Sequence, residues 1–236
     1  MAGVKNPWEN ISWQNTIADC DREYIIAKYG GVSEYEEQYS KAELKLSCLP
    51  EPYSGNKDSK VYCLNMNPGE AVKEFDKNES FERETKKNLA HAEGNDCYWF
   101  RRVLDSEGFP HPGLFWVYEK TRSLRKLLNE RPNIFFIEYF PYHSRSGNGI
   151  QFPTDLPSYE YSNQLIEAAM KEEKHIIIMR KEDMWYDRID GLSTYSRLIV
   201  LKNSYAGWIS PGNFSYPNSK ELTEEEIVEM FKKEKK

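Results

Sequence analysis

Cysteine and histidine are scarce in this 236-residue chain, at four residues each. Cys20, Cys48, Cys63 and Cys97 stand far apart and never form a Cys-x-x-Cys pair. That spacing points to neither a zinc site nor an iron–sulfur cluster, so no metal and no cofactor is expected, and buried thiols are the natural reading. Long apolar runs are missing too: no stretch approaches the roughly 18 residues that a membrane span needs. Met1 to Asn10 lack the basic-then-apolar layout of a secretory signal. A cytoplasmic chain with no membrane partner is therefore expected. Positive charge is not in excess either, since the net charge is −6. This argues against a general basic coat for nucleic acid, although an acidic protein can still carry a local cationic groove. Repeats and low-complexity linkers are absent, which leaves a single domain over residues 1–236 as the expectation.

The hydrophobic content of 39% supplies one substantial core. Aromatic residues make up 14%, with 16 Tyr and 6 Trp; these suit base stacking and large cores equally.

Strand-like and helix-like segments alternate, the order of a parallel sheet with helices on its faces. Four strands are predicted: Lys60 to Met66, Asn133 to Phe140, His175 to Met179 and Ser196 to Leu201. Each is a near-continuous apolar run of the kind that is covered on both sides. Helices are predicted over Ile17 to Tyr29, closed by Gly30-Gly31 with Ile17, Ile25 and Ile26 facing a core, and over Trp99 to Leu104, Tyr118 to Asn129 and Tyr159 to Glu173. A capping box at Thr223 to Glu226 opens a terminal helix carrying Ile227, Met230 and Phe231 on one face. Glu70 to Gly94 is long and polar enough to be a lid or insertion. Ser144 to Pro157 reads as a second loop.

Ligands of parallel sheets collect beyond the carboxyl ends of the strands, so residues distant in sequence form one constellation there. Three ends are rich in polar and turn-forming residues. The first strand ends in Asn65-Met66-Asn67-Pro68-Gly69, the second in Glu138-Tyr139-Phe140-Pro141-Tyr142-His143-Ser144, and the fourth in the run from Asn203 to Asn213. These three ends are the candidate site.

Met66-Asn67-Pro68-Gly69 after a buried strand resembles the first motif of the uracil-DNA glycosylase superfamily, closest to its mismatch-specific and single-strand-selective branches. Ile137-Glu138-Tyr139-Phe140-Pro141 resembles that family's second-strand segment, and Trp208-Ile209-Ser210-Pro211-Gly212-Asn213 its last motif. The resemblance implies a three-layer α/β/α sandwich with a short, mainly parallel four-stranded sheet. It also implies hydrolysis of the N-glycosidic bond of a damaged or deaminated base in DNA. Asn67 is then the catalytic, water-positioning residue. Met66, Pro68, Gly69, Glu138 and Tyr139 form the base-binding set, and Trp208, Ser210, Pro211, Gly212 and Asn213 contact DNA. A carboxamide suits the first role, because it orients a water by one hydrogen bond. The partner expected is DNA or a nucleobase-containing ligand.

Three positions depart from the family pattern. Asn65 stands for a glycine, Glu138 for the asparagine that reads the base, and Trp208 for a histidine. A carboxylate at 138 accepts hydrogen bonds only, which favours bases presenting an exocyclic amine. His143 is a candidate for the missing imidazole. The departures keep open an alternative, a catalytically inactive nucleobase, nucleotide or nucleic-acid binding protein of the same fold. Plainer structural readings stand beside each assignment: Asn67 as a turn residue, Glu138 as the ion-pair partner of Arg145 or Arg180, Trp208 as a core anchor, and Ser210-Pro211-Gly212 as a turn.

Overall fold

Along the third strand in chain order, Val61 and Cys63 point to one face while Tyr62 and Leu64 point to the other, and all four are buried. This period of two recurs on each long strand and gives the sheet two apolar faces. The computed structural model describes residues 4–69, 79–92, 112–145 and 153–233. Its elements run α1 (Asp19–Tyr29), α2 (Val32–Gln38), β1 (Leu44–Lys45), β2 (Tyr53–Ser54), β3 (Val61–Asn65), α3 (Glu79–Leu89), α4 (Pro112–Lys120), α5 (Arg122–Leu128) and β4 (Phe135–Glu138). They continue with β5 (His143–Ser144), α6 (Tyr159–Lys171), β6 (His175–Ile178), α7 (Glu182–Arg188), β7 (Leu198–Leu201), β8 (Phe214–Ser215) and α8 (Glu224–Phe231).

The main sheet has six strands in the order β2-β4-β3-β6-β7-β8. Its centre is parallel: β3 lies between β4 and β6, and β7 follows β6. These four are the strands predicted from the sequence. The expected four-stranded sheet is nevertheless too small, because antiparallel β2 and β8 add an edge on either side. Each is two residues long, too short to show a hydrophobic period, and such short edges limit pairing with other chains. β1 and β5 make a separate antiparallel ladder.

Helices cover both faces. On one side Tyr62, Leu64, Phe135, Ile137, Ile176 and Ile178 pack with Ile25 of α1, Tyr35 of α2, Ile166 of α6 and Trp185 of α7. On the other, Cys63, Phe136, Ile177 and Ile199 pack with Val117 of α4, Leu124 of α5 and Ile227, Met230 and Phe231 of α8. The terminal helix carries the capping box read from its sequence, with the Thr223 side chain accepting from the Glu226 N–H and the Glu226 carboxylate from the Thr223 N–H. No helix among the described residues is long and apolar enough to cross a membrane.

Two helical expectations are corrected. Ile26 lies on the solvent side of α1, 52% exposed, because one turn of helix places only Ile25 toward the sheet. The predicted helix from 118 to 129 is two helices, α4 and α5, that meet at Thr121, whose hydroxyl bonds back to the Val117 carbonyl at 2.7 Å. Part of the segment read as a lid is α3, which Asn88 fastens to the β2 edge by donating to the Tyr53 carbonyl and accepting from the Gly55 N–H. The helix predicted over 99–104 and the stretch 146–152 lie outside the described residues.

Gly55, which follows β2, adopts φ +109, and a Cβ there would lie 2.4 Å from the Ile134 carbonyl oxygen. Both the backbone conformation and the clash with rigid backbone exclude any side chain. Gly55→Ala is expected to cost about 2–4 kcal/mol, measured as a lower urea midpoint at unchanged slope.

Candidate functional site

Parallel pairing of β3 and β4 sets Asn65 beside Glu138 at the carboxyl edge. By alternation both side chains follow Cys63 and Phe136 onto the face shared with α4, α5 and α8. The Asn65 amide donates to Glu138 Oε1 at 3.1 Å. Beyond the ladder the two chain segments stay joined: Tyr139 N–H donates to the Asn65 carbonyl, Phe140 N–H to that of Met66 and Ser144 N–H to that of Pro68. The Asn67 amide closes this seam, donating to Ser144 Oγ at 2.7 Å and to the Pro68 carbonyl at 2.8 Å. Those donors occupy Nδ2 and leave Oδ1 as the acceptor that a water can use. Met66 and Pro68 are buried beneath this loop, while Gly69 is exposed, with open space where a side chain would stand.

His143 is buried, and each of its ring nitrogens faces a backbone carbonyl, Nδ1 that of Gly69 and Nε2 that of Leu49 at 3.0 Å. The imidazole braces the Asn67 loop against the segment before β2. Tyr139 faces away from Glu138: its ring packs on Trp185 at 5.1 Å and under the Arg188 guanidinium at 4.6 Å, in the opposite core. The structure thus brings Asn65, Asn67 and Glu138 to one edge and holds Tyr139 apart from them.

The loop after β7 reaches the same edge. Asn213 holds it closed, accepting from the Asn203 N–H at 2.8 Å and donating to the Trp208 carbonyl at 2.8 Å. Ser210 precedes a short 3-10 turn over Pro211–Asn213, and its carbonyl accepts from the Asn213 N–H. Gly212 has open space around it. Ile209 is buried, whereas Trp208 is 58% and Tyr205 90% exposed, so Trp208 is no core anchor. Lys120 at the end of α4 donates to the Ala206 carbonyl, and Ile209 N–H to that of Lys120.

Arg180 joins these parts and was not among the expected site residues, although it directly follows the apolar run of β6 and so marks the remaining strand end. Its Nη2 donates to the Tyr205 carbonyl at 3.3 Å, and Gly207, at φ +60, leaves room for the guanidinium. Neither arginine named as a partner for Glu138 is hydrogen-bonded to it. Arg145 pairs with Glu43 at 3.1 Å. Arg180 is near enough for its charge to act on the Glu138 carboxyl, yet Arg180 Nε and Glu138 Oε2 are both buried with no hydrogen-bond partner.

Burial pushes the Glu138 carboxyl up from 4.5 to about 8, against the opposing pull of the Asn65 hydrogen bond and the Arg180 charge. This shift favours the acid form, whose O–H can donate where a carboxylate only accepts. The ground on which a carboxylate was expected to favour an exocyclic amine is thereby removed. Burial and the Arg180 charge also lower the pKa of the neighbouring Lys120.

A groove of about 870 Å³ opens at the opposite, amino-terminal edge, lined by Lys60, His175, Arg197, Tyr216 and Glu226 among others. Its charges are largely paired with one another, Lys60 with Glu229 and Arg197 with Glu173. It shares none of the strand-end residues. Among the described residues no group of three His, Cys, Asp or Glu side chains could hold a metal ion. Compared with protein-family models, curated proteins and solved structures, the chain matches none significantly.

A folded-state pKa above the unfolded one means that the native protein holds its proton longer, so this contribution to stability is full below pH 4.5 and is lost as pH rises through about 8. Glu138→Gln removes that loss while keeping a carbonyl for Asn65. The variant is expected to match the parent near pH 4 and to exceed its Tm by about 5 °C or more at pH 9, as read from thermal melts across pH.

Proposed function

We propose that the chain is a divergent uracil-DNA glycosylase-like protein, built as a three-layer α/β/α sandwich around its four parallel strands, that hydrolyses the N-glycosidic bond of a damaged or deaminated base in DNA. The observation that carries this reading is the tying together of the strand ends: Asn65 to Glu138, Asn67 to Ser144, and Arg180 to the loop that bears Trp208. Asn67 Oδ1 orients the attacking water. Tyr205 and Trp208 offer exposed aromatic faces on the loop that Arg180 and Lys120 hold, a combination that suits a single strand by stacking on bases and pairing with phosphates.

Oligonucleotides carrying uracil, hypoxanthine, xanthine or a mismatch, single- and double-stranded, provide the test. Abasic product is expected from at least one, and Asn67→Ala should reduce its formation by about 100-fold or more. No abasic product from any of them would refute the reading. One observation favours a second reading, a binding protein without turnover: an exposed indole stands at Trp208 where the resemblance calls for an imidazole. A rise in Tm with nucleotides or oligonucleotides, without product, would establish it.

A further inference from the structure

Hydrolysis of an N-glycosidic bond makes two demands, a placed water and an exit for the electron pair of the departing base. Asn67 meets only the first, since an amide neither takes nor gives a proton at neutral pH. Trp208 cannot meet the second, because an indole N–H donates a hydrogen bond but gives up no proton near neutral pH, and this side chain is 58% exposed. The geometry at the carboxyl edge supplies another group. Glu138 has one oxygen fixed by the Asn65 amide at 3.1 Å and the other, Oε2, buried and unbonded. Within range of it for its charge to act, Arg180 is anchored through Nη2 on the Tyr205 carbonyl, while its Nε is likewise buried and unbonded. Two ionisable side chains each keep one hydrogen-bonding atom out of water and without a partner. That costs stability; other buried atoms of the described residues also lack a partner, Arg125 Nε and His175 Nδ1 among them, but only here do an acid and a base, each with such an atom, act on one another at the strand ends.

Resting on the glycosidic reading above, we propose that Glu138 in its carboxylic-acid form, backed by the Arg180 guanidinium, is the general acid that protonates the departing base. As the C1′–N bond breaks, its electron pair passes to the base and the proton on Glu138 Oε2 moves to a base oxygen or ring nitrogen. The water oriented by Asn67 forms the new C1′–O bond and releases a proton, which restores the Glu138 acid. The products are the free base and a sugar hydroxyl, with no other reactant required. Burial holds the Glu138 proton up to about pH 8. The groups acting on that proton are the uncharged Asn65 amide from β3 and the Arg180 charge beyond β6, with Lys120 of α4 beside Arg180. Both free atoms of the pair then present N–H or O–H toward the base. They favour a carbonyl and oppose an exocyclic amine, the difference that separates a deaminated base from its parent.

The test is single-turnover formation of abasic sites across pH with single-stranded oligonucleotides carrying uracil or 5-fluorouracil, the latter a better leaving group with less need of an acid. The parent rate on uracil should fall about tenfold per pH unit above about pH 8. Glu138→Gln should lose about 100-fold on uracil and flatten that limb, yet lose far less on 5-fluorouracil. Arg180→Gln, which leaves Asn65 and Glu138 in place, should move the limb to higher pH by removing the charge that favours the carboxylate. Equal losses on both substrates, or a limb untouched in both variants, would overturn the role of Glu138 while leaving the glycosidase reading intact. Absence of product with the parent protein on both substrates would overturn the role of Glu138 as the acid for a deaminated pyrimidine, and the glycosidase reading falls with it only when the hypoxanthine, xanthine and mismatch substrates are left intact as well. If Glu138→Gln fails to fold, the displaced limb of Arg180→Gln decides alone.

Discussion

Everything at the carboxyl edge depends on the register that sets Asn65 beside Glu138 on adjacent parallel strands. A slip of one residue would turn every side chain of β3 to the other face and exchange the two cores. Both faces are covered by helices and filled with large side chains, so the register is strongly specified. The alternation that buries Cys63 and Phe136 also carries the Asn65 amide and the Glu138 carboxyl onto one face where the ladder ends. An acidic group is thus delivered into apolar surroundings by the geometry of the sheet, and its raised pKa follows from that placement. Arg180, one residue beyond the buried Met179, stands at the end of the strand on the other side of β3.

The four parallel strands were legible in the sequence because strands covered on both faces read as unbroken apolar runs, and Asn67-Pro68-Gly69 marks where one such run stops. The terminal helix was legible from its cap. Ladders of two residues at β1, β2, β5 and β8 carry no period and were not legible. Thr121 interrupts α4 and α5 through a local hydroxyl bond, which an apolar pattern cannot register. In the candidate site, the strand-end rule led to Asn65, Asn67 and Glu138, and the same rule applied after His175 to Met179 leads to Arg180. Strand alternation alone separates Tyr139 from Glu138, since neighbours on a strand face opposite ways. The raised pKa of Glu138 was beyond the sequence, because it depends on how deeply the fold buries that end of β4.

The polar residues of this edge divide by what their atoms already bond. Asn213 and His143 are committed to backbone groups and hold two loops in place. Asn67 uses its donors to close the seam and keeps an acceptor. Glu138 and Arg180 each hold one buried atom in reserve. Buried atoms without a partner occur elsewhere too, at Arg125 Nε and His175 Nδ1 for example, but at this edge two of them belong to ionisable groups of opposite sign that feel each other's charge where the strand ends converge. The groove at the amino-terminal edge is lined by charges that largely neutralise one another.

The central claim is that Glu138 is a buried acid which retains its proton at neutral pH. Carboxyl-carbon NMR of the glutamate-labelled protein, with Glu138→Gln to assign the resonance, measures this directly. The account predicts one glutamate that titrates near pH 8, well apart from the surface carboxylates. A Glu138 resonance that titrates with them at about 4.5 would contradict it.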